Sequence, residues 1–298
     1  MKKIAYLILA HDDPIHFGKL VRAIDYQSDT YVHIDAKSDE KRFRAECPAG
    51  VTFAKRRLPV TWAGISMVDA LLSLIEEALR FKDQYTHFIF ITGSDYPIKN
   101  PKEIYTKLTN NPQHEFVRYI DMRESPEHYM KLITRKYFLE PLFRSEKRSI
   151  KSIDNILRKY LRRLRIPNRW SNKIIPYCGH TWCALTPECC SYILEFHKKN
   201  PWFYKANKYT FAPDEHYFHT IIGNSSFAAN SDGLQDYQGR GIWRLVNFHL
   251  ICPTLKKWFT LEDWDQISGS DKYFVRKVNS IQGAELVSTI DKELLNKS

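Results

Sequence analysis

Residues 4–17 read IAYLILAHDDPIHF, and the reading of this stretch decides the fold. Its apolar run is about seven residues long and stops at His11, Asp12 and Asp13 without a small-residue cleavage site. A secretion signal needs that site, and a membrane span needs roughly 18 consecutive apolar residues. The stretch therefore reads as a first buried strand, and the chain is expected to be cytoplasmic, at most peripheral at the inner face of a membrane. Two further strand-like runs follow, TYVHIDA at 30–36 and THFIFITG at 86–93. Helical spacing separates them: HFGKLVRAI after the first run, and SMVDALLSLIEEAL at 66–79 before the third, with Ser66 as the expected N-cap. Strands alternating with helices predict an α/β fold with a mostly parallel, doubly wound central sheet flanked by helices. Such sheets bind ligands beyond the carboxyl ends of their strands. His11, Asp12, Asp13, Asp35, Lys37, Ser94 and Asp95 cluster at those ends, as in a nucleotide-binding half. HDDPIHFG stands where GxGxxG or GxxxxGK[ST] would follow the first strand, so dinucleotide and P-loop readings lose their support.

The rest of the chain shows no Gly/Pro/Ser-rich linker, repeat or low-complexity stretch. One domain over 1–298 is expected, with a nucleotide-binding half at 1–110, a basic helical insertion within 111–178, and an aromatic-rich, less regular half at 179–298. Its 43% hydrophobic and 27% charged residues are ordinary for a soluble globular protein. The six cysteines match no CxxC zinc spacing and are expected to be reduced and partly buried.

Most of the net charge of +11 sits in one place: segment 144–173 has eleven Lys/Arg against Glu146 and Asp154, a local +9. Ile150, Ile153, Leu157, Leu161 and Leu164 fall there at helical spacing among Arg158, Lys159, Arg162, Arg163 and Arg165, which makes a basic amphipathic helix. Such a helix can lie on an anionic membrane or pack on its own domain. Nucleic-acid binding through 144–173 is the alternative, weakened because the charge is confined to one segment, no nucleic-acid module appears and aromatics do not interleave with it.

FAPDEHYFHTI at 211–221 sets Asp214 and Glu215 after Pro213, which fits a helix start, a metal site or an acid/base centre. Seven segments, in order, resemble the core-2/I-branching β-1,6-N-acetylglucosaminyltransferases of glycosyltransferase family 14, which includes peptide O-xylosyltransferases. They are IAYLILAHDDPIHFGKLVRAI with YVHIDAKSD, VTWAGISMVDALLSLIEEAL, FIFITGSDYPIKNPKEI, GHTWCALTPECCSYIL, FAPDEHYFHTII, WRLVNF and SDKYFVRKV. The resemblance implies a GT-A-like nucleotide-sugar transferase fold in a soluble member of bacterial type. It implies inverting transfer of a sugar, GlcNAc or xylose, from a UDP-sugar to a glycan, lipid-linked oligosaccharide or other hydroxyl acceptor, with no cofactor and no divalent metal. It assigns the general base to Glu215 and donor binding to His11, Asp35, Trp62, Arg244 and Lys277, with Asp95 and Trp182 as further donor or acceptor contacts. Asp214 is left to capping or support. An inactive sugar-binding relative is a further alternative. The stretch between about 113 and 178 matches the family poorly, so the acceptor is not carried over.

Overall fold

The computed structural model describes residues 2–143, 145 and 147–295, so Arg144 and Glu146 of the basic segment lie outside the described residues. Its strands are β1 (Lys3–Ala10), β2 (Ser28–Ile34), β3 (Thr52–Phe53), β4 (Tyr85–Thr92), β5 (Asp95–Pro97), β6 (Glu115–Asp121), β7 (Tyr177–Gly179), β8 (Ala184–Leu185), β9 (Ser231–Leu234), β10 (His249–Ile251) and β11 (Phe274–Arg276). Its helices are α1 (Pro14–Ala23), α2 (Glu40–Glu46), α3 (Ile65–Ala78), α4 (Pro101–Thr109), α5 (Lys131–Thr134), α6 (Arg148–Arg163), α7 (Pro187–Lys199), α8 (Pro201–Asn207), α9 (Tyr217–Gly223), α10 (Trp264–Ser268) and α11 (Ala284–Ile290).

The opening stretch becomes β1 and α1, as its pattern predicts. β1 is the centre of a parallel block ordered β3-β2-β1-β4, which continues through antiparallel β8 to β6 and β7, with β9 beside β6. Residue alternation along the strands feeds both faces of the sheet. Ala5 and Leu7 join Leu71, Leu74, Ile193 and Phe218 on the face covered by α3, α7 and α9. Tyr6 and Ile8 join Phe17, Leu20, Ile104 and Leu286 under α1, α4 and α11. Leu9 lies opposite both His33 of β2 and Thr92 of β4, so three strands end at one level and open a crevice where the chain order reverses.

A second sheet, β10-β11-β5, carries the tail back to that crevice. β11 runs antiparallel to β5, which places Arg276 opposite Asp95. Val278 N–H donates to Ser94 O at 2.8 Å and fastens the following turn beside the end of β4.

Two helix starts differ from the sequence expectation. α3 is capped at Gly64, not Ser66, and lacks a side-chain cap of its own. Glu140, far along the chain, supplies it: its Oε1 accepts from Ser66 N–H at 2.9 Å and its Oε2 from Thr61 Oγ1 at 3.0 Å. A tertiary carboxylate thus satisfies one first-turn amide, that of Ser66, and complements the helix dipole. The second case is Pro213–Glu215, which forms a short 3-10 turn, and α9 begins only at Tyr217.

Candidate functional site

A cleft of about 350 Å³ lies over the carboxyl ends of β1, β2 and β4, and His11, Asp35, Trp62, Trp182 and Lys277 all line it. Five residues named from the sequence are thereby brought together, along with Arg276, His33 and Trp258, which sequence reasoning missed.

Asp35 directly follows β2 and is buried; its Oδ1 accepts from Lys37 N–H at 2.9 Å and Lys37 Nζ stands 3.3 Å from Oδ2. His33 Nε2 accepts from Leu58 N–H at 2.9 Å, which leaves its proton on Nδ1. Burial lowers its pKa and keeps the ring neutral. His11 lies open at the mouth, 3.7 Å from the Asp12 carboxylate. Trp62 is 77% exposed and meets the Phe211 ring edge-on at 5.7 Å. Ala63 O, next to it, accepts from Ala212 N–H at 3.0 Å, so the Trp62 loop is joined to the turn bearing Glu215.

The cationic wall is built on Asp95. This residue was expected as a donor or acceptor contact, but its side chain is completely buried and its carboxylate is taken up within the protein. It accepts from Thr92 N–H at 2.6 Å, Thr92 Oγ1 at 3.0 Å, Arg276 Nη1 at 2.8 Å and His249 Nε2 at 3.2 Å. Burial would raise its pKa, but Arg276, then His249 and the remaining hydrogen bonds, carry it down to about 2. Asp95 therefore holds Arg276 in place. Arg276 also donates to Thr92 Oγ1, and its guanidinium lies 5.0 Å from the Trp182 ring centre. Lys277 is half-buried with its Nζ 5.9 Å over the Trp258 ring; burial, then the Arg276 charge, lowers its pKa. Two adjacent cations with partial desolvation make a binding wall for a polyanion such as a diphosphate.

The carboxylates of the 211–221 stretch do not line this cleft; their turn is joined to it through Thr181, next to Trp182, and through the Trp62 loop. Asp214 Oδ2 accepts from Thr181 Oγ1 at 2.9 Å, while its Oδ1 has no partner among the described residues. It is a buried link to the strand-end loop and not a helix cap. Burial, only partly opposed by the Thr181 bond, raises its pKa to about 6. Glu215 is partly exposed, and burial of its carboxyl, then the Asp214 charge, raises its pKa well above the ordinary carboxylate range. Its charge is felt by the Tyr129 hydroxyl, which burial foremost pushes up to about 12. A carboxyl in such surroundings gains a proton readily and can act as a base toward a hydroxyl beside it.

Arg244 is not brought into the cleft. It lines a smaller recess with Tyr129 and Gly241, donates from Nη1 to Gln238 O at 2.5 Å and lies 4.9 Å over Trp243. Among the described residues no group of three or more His, Cys, Asp or Glu could hold a metal ion, and no helix is long and apolar enough to cross a membrane. The six cysteines are free, four of them buried.

Comparison with known proteins gives the lineage. A xylosyltransferase of Ciona intestinalis is 22% identical over 98% of this chain and 34% of its own length. The mouse beta-1,3-galactosyl-O-glycosyl-glycoprotein beta-1,6-N-acetylglucosaminyltransferase 4 is 24% identical over 87% of this chain and 53% of its own length. The chain thus spans about a third to a half of these relatives, and such animal relatives lend no support to a bacterial type. The apo crystal structure of mouse xyloside xylosyltransferase 1 covers 91% of the chain at 10% identity with a TM-score of 0.36, too weak a likeness to locate any residue. The Core-2/I-branching enzyme family matches residues 4–234. That match ends before Arg244, Arg276 and Lys277, whose places rest on the geometry alone. It covers more than half of the sequence, and the chain belongs to the Core-2/I-branching enzyme family.

Proposed function

We propose that this protein is an inverting glycosyltransferase of GT-A-like fold. It moves GlcNAc or xylose from a UDP-sugar to a glycan or lipid-linked oligosaccharide at the inner face of a membrane. The observation that carries the reading is a cleft walled by Arg276 and Lys277, whose Trp62 rim is bonded to the turn that bears one carboxyl of strongly raised pKa, Glu215. The nucleotide lies along Asp35 and Trp62, with the ring of Trp62 against uracil and His11 at the mouth. The diphosphate faces Arg276 and Lys277.

In the reaction the acceptor oxygen forms a bond to the anomeric carbon from the side opposite the nucleotide, and its proton passes to Glu215. The bond from the anomeric carbon to the diphosphate oxygen breaks, and UDP leaves with the electron pair. Negative charge grows on the diphosphate as that bond lengthens, and fixed cations stabilise it without solvent reorganisation. This is work that Mg²⁺ or Mn²⁺ does in other sites, so the reaction is metal-independent. Asp214 stays bonded to Thr181 and, through its charge, keeps Glu215 basic enough to accept the proton.

The test is UDP release from a panel of UDP-sugars, with an acceptor, in EDTA. Release that survives the chelator and disappears in Glu215→Gln is the expected result. A strict requirement for Mn²⁺ would overturn the role given to Arg276 and Lys277. Full activity in Glu215→Gln would remove the base.

A further inference from the structure

The basic helix α6 folds with its apolar residues divided, which the sequence pattern did not foresee. Its one fully buried residue is Asp154. That carboxylate accepts from Leu142 N–H at 2.7 Å, Phe143 N–H at 3.0 Å and Arg158 Nε at 2.7 Å, and Arg158 Nη1 donates to Leu139 O at 2.8 Å. The helix is therefore fastened to the domain by a polar edge. Ile150, Leu157 and Leu161 turn partly inward beside it. Ile153, Ile156, Tyr160 and Leu164 are left 59%, 68%, 59% and 50% exposed. Their spacing of three, four and four residues puts them on one outward stripe. Phe143 is 49% exposed near the same end, and Arg148, Lys159 and Arg163 are exposed along the helix.

We infer that this outward face of α6 docks on an anionic lipid surface. A stripe of large apolar side chains bordered by cations is what an interfacial helix presents: the apolar groups enter the acyl boundary and the cations meet acidic headgroups. Charge selects this occupant. A second copy of the chain would bring a like-charged segment of +9 against its own. Nucleic acid would use the cations and leave the apolar stripe unburied. Docking also orients the site. Glu140 lies in the 139–143 stretch that Asp154 and Arg158 hold, and it bonds Thr61 and Ser66 on either side of Trp62. A docked α6 is thus tied to the rim of the cleft and holds it at the lipid surface.

This deepens the acceptor reading above and rests on it only for the acceptor. Docking is measured without any sugar. The full chain is co-sedimented with phosphatidylcholine vesicles lacking or containing phosphatidylglycerol, at low and high salt. Ile156 and Tyr160 are exchanged together for Asp in one variant, Lys159 and Arg163 together for Glu in another. Binding of the wild type to the acidic vesicles, lowered at least tenfold in each double variant and by high salt, is expected. UDP release in free solution should stay unchanged in both, because none of these residues lines the cleft. Wild-type protein that ignores acidic vesicles, or variants that bind like the wild type, would overturn the docking surface. So would a dimer in sedimentation velocity that either double variant dissolves. Loss of UDP release in Glu215→Gln with vesicle binding intact separates the fate of the catalytic reading from this one.

Discussion

Asp95 and the Asp214–Glu215 pair are carboxyls on two separate elements, a short strand and a 3-10 turn, and the protein treats them in opposite ways. Four donor contacts converge on Asp95, and its pKa falls to about 2 although it is wholly buried. Asp214 receives one hydroxyl and is raised to about 6, and Glu215 beside it is raised as well. Burial acts the same way on both, so the number of donors and the nearness of cations decide the outcome. One region is a fixed counter-ion for Arg276. The other is a carboxyl kept ready to take a proton.

The comparison breaks first at Glu215. Glu215→Gln keeps the shape and removes the base, and turnover should fall about 10²–10⁴-fold. In the wild type the acidic limb of kcat/KM should lie above the ordinary carboxylate range, because the base works only when ionised and its pKa is raised. A limb near pH 4 with normal Gln-variant turnover would remove the contrast. Next in size is Arg276→Met. Removing one partner from a buried pair leaves a stranded charge, at a cost of about 3–5 kcal/mol. Denaturant unfolding should report it, and Asp95→Asn added to Arg276→Met should restore most of it. The stability that Asp95 contributes is present above the unfolded carboxylate pKa of about 3.9 and is lost as pH falls toward about 2. If the double variant is no better than the single one, the pair is not what holds Arg276.

Asp214→Asn tests the opposite sign. A raised folded pKa means that the wild type is favoured below the unfolded value of about 3.9 and loses that advantage as pH rises through about 6. The Asn amide oxygen can still accept from Thr181. The variant should therefore be more stable than the wild type at pH 8, by about 1–3 kcal/mol, with the gap closing toward pH 4. Melting temperatures across that range check it. A variant less stable at every pH would show that Asp214 is held ionised, and the contrast with Asp95 would vanish.

The first half of the fold was legible because β1, α1, β2, α3 and β4 carry strong periodicity, and strand order then fixes where a crevice opens. His11, Asp35 and Trp62 were found for that reason and through family resemblance. The pairing of Asp95 with Arg276 was not legible: it spans 181 residues and depends on β5 and β11, strands of three residues with no periodic signal. The only trace was the adjacency of Arg276 to Lys277 in YFVRK. For Asp214, left to capping or support, the capping alternative fell, because a Pro-Asp-Glu run looks the same whether its acid serves the helix amides or a distant threonine. Ser66 was misread as a cap, since a carboxylate from outside the helix had taken the capping role. Arg244 was expected at the cleft from a motif, but the bonds of the 235–244 loop keep it with Tyr129 and Gln238.

Trp62 is the residue that both regions share, and it gives the finest test. It lines the cleft, yet its ring meets Phe211 and its neighbour Ala63 is bonded to Ala212, three residues before Glu215. Being largely exposed, it contributes little to the core, and Trp62→Ala should change stability by no more than about 0.5 kcal/mol. If it belongs with the binding wall, its removal takes away a stacking surface for the base worth about 1–3 kcal/mol. Donor KM should then rise by a factor of about 5–150 with kcat nearly unchanged, since stacking on a base remote from the reacting bond is equal in ground and transition states. A drop in kcat at constant donor KM would instead move Trp62 to the Glu215 side, where it would position the turn. Steady-state rates at saturating acceptor and varied UDP-sugar distinguish the two, and Trp62→Phe should recover most of the KM only if stacking is the cause.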